Sequence, residues 1–175
     1  MKFNFYGFKA IYLHEMDRFR RTLGQSLLSP VISTCLYFIV FGSVIGGYVE
    51  NIDGVSYGSY IVPGLLMLTL LTQSISNTSF GIFFPKFNGT IYEILAAPIS
   101  TFEVVLAFVG AGATKTLIVG IIIFITSMFF VEVKVQYPLL MVFLLILVSF
   151  TFALFGFLIG LMSTNFEQMS IIPSL

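Results

Sequence analysis

Four stretches of the chain, at about positions 22–49, 54–85, 116–131 and 135–166, contain no charged residue. All eight basic and all eight acidic residues lie outside them. A stretch of about 28 to 32 residues is roughly 42–48 Å long as a helix, whereas a bilayer core is ~30 Å thick. Even the shortest stretch, of about 16 residues, reaches roughly 24 Å. The pattern predicts an all-α, polytopic helical membrane protein.

The segment before the first stretch has the periodicity of an amphipathic helix. Apolar side chains recur at steps of three and four, at Phe5, Phe8, Tyr12, Met16, Phe19 and Leu23. Charged side chains fall off this stripe, at Lys9, His14, Glu15, Arg18 and Arg21. A helix with an aromatic face and a basic face is typical of the headgroup region of a bilayer. We therefore predict an interfacial helix over residues 4–23, ended by Gly24.

The first transmembrane span is predicted over residues 30–48, where Ser29 would be the N-cap and Pro30 the first helical residue. Gly42 and Gly46 are four residues apart and would allow a close helix contact. A short acidic loop containing Glu50 and Asp53 follows.

The second span is predicted over residues 60–84, and its middle is unusually polar. Thr69, Gln73 and Ser76 share one helical face, and Asn77 follows them. Polar side chains at that depth bond across helix interfaces or line a pathway through the membrane. Both interpretations stay open.

The loop after the second span contains a short helix, predicted over residues 90–97. Thr90 and Glu93 have the spacing of a capping box, and Pro98 would stop the helix after about two turns. Ser100 and Glu103 form a second capping box, which would open the next long helix. A short helix with such rigid boundaries suggests a docking element.

Two further spans are predicted over residues 104–130 and 137–162, the latter with Gly156 and Gly160 at the spacing of close helix packing. A new apolar segment begins near Ile171. The expected fold is thus a single domain, residues 1–175, with an interfacial helix, four complete spans and the start of a fifth.

Lys115 is the only charged residue within a predicted span. Its stem could reach the inner headgroups from a helix that protrudes into the cytoplasm. Alternatively, it could be a gating or anion-binding group in the pathway.

Composition narrows the possible functions. The chain is 58% hydrophobic and 9% charged, with zero net charge, so a nucleic-acid partner is not expected. Residues 110–116 resemble a phosphate-binding loop but lack its required glycines, and we reject that interpretation. Cys35 and His14 have no partners at metal-ligand spacing, and no catalytic group is visible. We expect neither a metal, nor a cofactor, nor an enzyme site in this chain.

Basic residues near the ends of the spans predict the orientation. Six lie on the side of the amino terminus and the loop 86–103, and Lys134 lies on the other. The six are Lys2, Lys9, Arg18, Arg20, Arg21 and Lys86. The amino terminus and the predicted short helix are therefore expected in the cytoplasm.

Several segments occur in an order that resembles the transmembrane permease subunit of type-2 ABC exporters. They are Arg20–Pro30 (RRTLGQSLLSP), Tyr60–Gly64 (YIVPG), Asn77–Phe80 (NTSF), Lys86–Pro98 and Phe166–Pro173 (FEQMSIIP). The resemblance implies an elbow helix at the amino terminus, a coupling helix after the second span, six spans and a dimer in the bacterial plasma membrane.

The same resemblance implies a separate ATPase subunit that binds ATP. It would be contacted by the coupling helix and by a smaller second loop, through Gly89, Thr90, Ile91, Tyr92, Glu93, Leu95, Pro98, Phe166 and Glu167. Independently of the resemblance, the polar pattern of the second span and the lone charge of the third make Thr69, Gln73, Ser76, Asn77 and Lys115 the candidates for residues that line a pathway.

The leading hypothesis is therefore the membrane subunit of an ATP-driven exporter. A proton-coupled carrier is an alternative, although such carriers usually need an acidic residue within a span. A non-transporting membrane scaffold is a further alternative, but it leaves the short capped helix unexplained.

Overall fold

The computed structural model describes residues 3–45, 51–52, 55–133 and 135–169. Some predicted features lie outside the described residues. They are the end of the first span including Gly46, the acidic residues Glu50 and Asp53, Lys2, Lys134 and the apolar segment from Ile171.

The described chain is built from helices. They are α1 (Phe5–Arg21), α2 (Leu23–Tyr37), a π-helical segment (Phe38–Ile45), α3 (Tyr57–Phe87), α4 (Ile91–Ala96), α5 (Thr101–Met128) and α6 (Pro138–Met162). Two strands of two residues, β1 (Asn51–Ile52) and β2 (Val55–Ser56), form an antiparallel hairpin that pairs Asn51 with Ser56. Four helical stretches are long and apolar enough to cross a membrane: Leu23–Phe41, Tyr57–Asn88, Thr101–Met128 and Pro138–Met162. The prediction of an all-α polytopic membrane protein is confirmed.

The first membrane-spanning helix begins earlier than predicted. Helix α1 ends at Arg21, and α2 starts at Leu23, with Thr22 between them. Gly24 does not end α1, and Pro30 lies inside α2 rather than at its start. A proline is tolerated within a membrane helix, although it removes the hydrogen bond to the carbonyl four residues earlier, here that of Ser26. The Thr34 hydroxyl donates to the carbonyl of Pro30 itself at 2.8 Å. The predicted start at residue 30 was wrong because a proline at the first position and a proline inside a helix look alike in sequence.

The other predicted spans lie close to the observed helices. Helix α3 is longer than predicted at both ends: its N-cap is Ser56, and it continues through Pro85 to Phe87. Helix α5 starts at Thr101 behind a Ser100 N-cap, and α6 starts at Pro138.

Helix α1 packs lengthwise along the first half of α5. The contacts advance together along both helices and pair Asn4 with Glu103, Tyr12 with Thr114, and Phe19 with Val119. Further on, Phe38 stacks on Phe130, so α2 continues in the same direction. The location of α1 at the headgroup level stays a prediction, but its polar face is not uniformly exposed, because Glu15 is buried.

Helices α3 and α6 run in parallel and touch through their backbones. A Cβ atom at Gly156 would lie 2.8 Å from the Ile75 Cα, and one at Gly160 would lie 2.9 Å from the Ser79 Cα. Such small residues four apart permit close approach of membrane helices. The prediction of close packing at Gly156 and Gly160 is confirmed.

The bundle has two ends. We call one the hairpin end, because the β-hairpin, the start of α3 and the turn between α5 and α6 meet there; the Ser59 hydroxyl donates to the Glu132 carbonyl at 2.9 Å. We call the other the α4 end, where α1 begins, α3 and α6 end, and α5 starts. Between the ends, the largest core cluster joins α3, α5 and α6 through Ile82, Phe108, Phe157 and their neighbours.

Candidate functional site

Helix α4 is a short element held on one side and open on the other. Gly89 precedes it with a φ of 81°, a left-handed conformation that glycine adopts without strain. Ile91 and Ile94 pack against the core cluster of α3, α5 and α6. Tyr92 is 74% exposed and Leu95 is 63% exposed. Two apolar side chains therefore project from a helix whose opposite side is anchored.

The predicted capping box at Thr90 is wrong. Thr90 has helical backbone angles, and its side chain makes no capping hydrogen bond. Instead, the Glu93 amide donates to the Thr90 carbonyl at 3.1 Å, and the Tyr92 amide donates to the Gly89 carbonyl at 3.2 Å. A capping side chain requires an extended N-cap residue, and the turn at Gly89 leaves Thr90 already helical. Glu93 is exposed.

The second capping box, at Ser100 and Glu103, is confirmed and reaches further than predicted. The Glu103 amide donates to the Ser100 hydroxyl at 3.3 Å, and the Ser100 amide donates to the Glu103 carboxylate at 2.8 Å. The other Glu103 oxygen accepts from the Asn4 backbone amide at 2.6 Å. The Asn4 side chain also donates to the Pro98 carbonyl at 3.1 Å. The loop after α4 and the start of α5 are thus tied to the start of α1.

The turn after α6 is attached to the end of α3. The Lys86 ammonium donates to the carbonyls of Leu161 and Ser163, at 2.6 and 2.9 Å. These carbonyls belong to the last helical turn, whose acceptors have no partner within the helix. The Phe166 ring packs edge-on against the rings of Phe83 and Phe87, with centroids 4.9 Å from each. Phe166 and the neighbouring Glu167 are both exposed, and Phe166 lies beside the end of α3.

A buried group of three charges joins α1 to α5. The Lys115 ammonium lies 2.7 Å from one Glu15 carboxylate oxygen, and the Arg18 guanidinium lies 2.8 Å from the same oxygen. The side chains of Lys115 and Glu15 are 4% and 2% exposed, whereas that of Arg18 is 25% exposed and lies 5.3 Å from the centre of the Phe80 ring. We call Glu15, Arg18 and Lys115 the ion triad. The expectation that Lys115 reaches out to the headgroups is wrong, because a carboxylate within the bundle provides its counter-charge.

The polar middle of α3 divides between two roles. The buried Ser74 hydroxyl donates to the Ser149 carbonyl of α6 at 3.1 Å, which is a contact across a helix interface. Ser76 and Asn77 instead line a cleft beside the ion triad, together with Arg18 and Lys115. The bond across a helix interface is thus present at Ser74, whereas the lining of a transport pathway by Ser76 and Asn77 stays a prediction.

Thr69 and Gln73 are half-buried and are not among the residues that line this cleft. The Thr69 hydroxyl donates to the Leu65 carbonyl within its own helix at 2.8 Å. The Gln73 side chain accepts from Asn77 at 3.4 Å. The structure therefore brings Ser76, Asn77 and Lys115 together, and Thr69 and Gln73 lie further along α3 toward the hairpin end.

Glu15 is the site residue that the sequence analysis missed. Hydropathy places it on the polar face of α1, where a carboxylate is unremarkable. A signal was present, however. A lysine in an otherwise uncharged span must be paired, and the acidic residues of the adjacent amphipathic helix were available partners.

The described residues thus define the class of protein: a polytopic helical membrane protein with a short, anchored helix between its second and third spans. The sequence profile of the ABC-2 type transporter family matches residues 6–175. The chain belongs to this family.

Three known proteins are similar in sequence to the chain. The chain is 37% identical over 166 residues to the inner membrane transport permease YadH of Escherichia coli strain K12, a match that covers 95% of the chain and 65% of YadH. It is 23% identical over 121 residues to nodulation protein J of Azorhizobium caulinodans, covering 69% of the chain and 48% of that protein. Nodulation protein J of Neorhizobium galegae is 23% identical over 112 residues, covering 63% of the chain and 43% of that protein.

The chain thus spans less than two thirds of the length of each of these relatives. No solved structure matches it.

Proposed function

We propose that this chain is the membrane-spanning part of an ATP-driven exporter, and that a separate ATPase subunit docks on α4. In this proposal the partner binds and hydrolyses ATP, and the chain itself contains no ATP-hydrolysing site. Membership of the ABC-2 type transporter family supports the transport role. The name of the E. coli relative supports a location in the bacterial inner membrane.

The exposed side of α4 is the observation that carries the proposal. Tyr92 and Leu95 project outward, whereas Ile91 and Ile94 fix the helix to the core. Large apolar and aromatic side chains on a rigid element are typical of the residues that dominate binding at protein interfaces. A lipid-facing role does not suit this position, since α4 lies in the loop beyond the ends of α3 and α5. Gly89, Thr90, Glu93 and Pro98 would shape the docking surface around these two side chains.

A displacement of α4 would be passed on to the spans by direct contacts. Ile91 and Ile94 touch the cluster formed by α3, α5 and α6, and the Asn4 contacts join the same loop to α1. Phe166 and Glu167, beside the end of α3, would form a second and smaller contact with the ATPase. Because protein interiors are close-packed, such a movement shifts packed helices instead of being absorbed.

The remaining features of the proposal concern the assembly and the pathway. Two permease copies would form the transporter, with the amino terminus and α4 in the cytoplasm, as the distribution of basic residues predicts. Ser76, Asn77 and Lys115 would line the entrance to the pathway, and Thr69 and Gln73 would continue it along α3.

Replacing two side chains tests the docking role. The double variant Tyr92→Ala, Leu95→Ala should weaken co-purification with the ATPase subunit at least about tenfold, because interface hot spots contribute about 2 kcal/mol or more each. The ATPase activity of the assembled transporter should lose its dependence on the permease in parallel.

The matched control is Tyr137→Ala, Leu139→Ala. These residues have the same types and are 70% and 85% exposed, but they lie at the hairpin end. The control should co-purify with the ATPase as the unmodified protein does. Unchanged co-purification of the Tyr92→Ala, Leu95→Ala variant would refute the assignment of α4 as the docking element.

A further inference from the structure

A cleft of about 600 Å³ opens beside the ion triad. One wall comes from the junction of α1 and α2, the other from the middle of α3, and Lys115 of α5 lies between them. The polar residues that line it are Arg18, Thr22, Gln25, Ser26, Ser76, Asn77 and Ser79, and the apolar ones are Phe19, Phe80 and Met169.

The charges around the cleft do not cancel. Arg18 and Lys115 carry two positive charges, and Glu15 carries one negative charge, so the ion triad has a formal charge of +1. Both cations contact the same Glu15 oxygen, which uses one hydrogen of each group. A guanidinium has five donors and an ammonium has three. Donors therefore remain on two cations that line the cleft and are available to a bound anion, although the second Glu15 oxygen is buried in the described structure without a hydrogen-bond partner.

The other lining groups suit an oxyanion with an apolar tail. The side chains of Thr22, Ser26, Ser76 and Asn77 supply hydroxyl and amide donors. Hydrogen bonds from such groups, and charge-assisted ones from arginine, are the usual contacts of phosphate oxygens. Phe19, Phe80 and Met169 add apolar surface that an inorganic ion would not use.

The cleft lies in the half of the bundle that is nearer the α4 end. From the end of α5 at Met128 back to Lys115 is about 13 residues, or roughly 20 Å. From the start of α3 at Tyr57 to Asn77 is about 20 residues, or roughly 30 Å. A bilayer core is ~30 Å thick, so, measured from the hairpin end, Asn77 lies near the boundary on the α4 side and Lys115 lies about 10 Å inside the core.

We propose that this cleft binds the phosphate-bearing, anionic headgroup of a membrane amphiphile from the leaflet on the α4 side. Arg18 and Lys115 contact the phosphate, Ser76 and Asn77 orient it, and Phe19 and Phe80 contact the first part of the tail. The binding requires neither nucleotide nor the ATPase subunit, so it can be tested separately from the docking of α4.

The test uses the purified intact protein in a neutral detergent, without ATPase or nucleotide. Phosphatidylglycerol and phosphatidylcholine with the same acyl chains are titrated separately, and bound lipid is counted by native mass spectrometry. Phosphatidylglycerol should bind at least about tenfold more tightly than phosphatidylcholine. Equal binding of the two lipids would overturn the proposal.

A matched pair of arginine variants locates the binding. Arg18→Gln should weaken phosphatidylglycerol binding about tenfold or more, since it removes a charged donor that lines the cleft. Arg21→Gln removes an equal charge from an exposed position outside the cleft and should change the affinity less than about twofold. Equal effects of the two variants would show that the lipid binds to general surface charge, and would overturn the site.

Two further measurements cover the remaining outcomes. Ser76→Leu keeps both cations but fills the cleft, and should also abolish the preference for phosphatidylglycerol; retention of that preference would exclude this cleft. This variant decides the question if Arg18→Gln does not fold. Inorganic phosphate at the same concentration should not displace the lipid, and displacement would show that the site takes a free ion and not an amphiphile.

Discussion

The contact between α3 and α6 leads to a prediction about a single methyl group. In Gly160→Ala, the new Cβ atom would lie 2.5 Å from the Ser79 carbonyl oxygen and 2.9 Å from the Ser79 Cα. Favourable contacts between non-bonded carbon atoms lie at about 3.5–4.0 Å. The two helices must therefore separate by several tenths of an ångström or more along this seam, because backbone atoms cannot rotate away.

The expected cost follows from two opposing effects. Overpacking typically costs about 1–3 kcal/mol, and a gap of ~0.5–1 Å elsewhere along the seam forfeits a quarter to a half of each dispersion contact. Alanine is favoured over glycine in a helix by about 0.8–1.0 kcal/mol, which offsets part of the loss. A net destabilisation of up to about 2 kcal/mol corresponds to a melting temperature lower by up to ~8 °C for a domain of this size, and the difference is larger against an alanine variant that gains the same helix propensity.

The assay is thermal unfolding of the intact protein in one detergent, followed by circular dichroism at the helical band. Gly64→Ala is the matched control, because nothing in the described structure lies within 4 Å of the Cβ position at Gly64. The control should melt at the temperature of the unmodified protein or slightly above it. If Gly160→Ala melts no lower than Gly64→Ala, the reasoning about backbone contact is wrong.

Two further predictions concern charged side chains. Glu15→Gln leaves Lys115 buried without its counter-charge and should cost about 3–5 kcal/mol of stability. The double variant Glu15→Gln, Lys115→Met should recover most of that loss in the same melting assay. A double variant no more stable than Glu15→Gln would contradict this account. Lys86→Met removes the ammonium that donates to the last carbonyls of α6. Amide hydrogen exchange at residues 159–166 should therefore accelerate, while exchange in the middle of α6 stays unchanged. Equal protection of residues 159–166 in the variant and the unmodified protein would show that the cap contributes nothing.

The sequence predicts the membrane spans well because their signal is local. An uncharged stretch of sufficient length specifies a transmembrane helix whatever its neighbours are. The capping box at Ser100 and Glu103 is equally local, and the structure contains it. Gly156 and Gly160 indicated a close contact, although the sequence could not name α3 as the partner.

The errors arise where a local pattern has two physical outcomes. Pro30 fits the start of a helix, but the chain is already helical from Leu23 onward. Thr90 has the residue type of a capping box, but the conformation of Gly89 places it inside the first turn. In both cases the conformation of the preceding residues determines whether the residue begins a helix or lies inside one, and residue types alone do not specify that conformation.

The ion triad could not be predicted from the hydrophobic periodicity of the sequence. Glu15 and Lys115 are a hundred residues apart and meet only because α1 packs along α5. Hydropathy places one on a polar face and the other in an apolar span, and gives no register between the two helices. Only the requirement that a buried charge be paired connects them in advance.

The Asn4 contacts have a consequence for the order in which the chain can fold during its synthesis. Glu103 is translated about a hundred residues after Asn4, so the amino-terminal segment has to wait, through the insertion of two spans, for the carboxylate that secures it. During that interval α1 lacks its contacts with α5 and has only those with α2 and α3, such as Arg18 against the Phe80 ring. A ribosome stalled before residue 103 should therefore expose α1 to added protease, and one stalled after α5 has emerged should not.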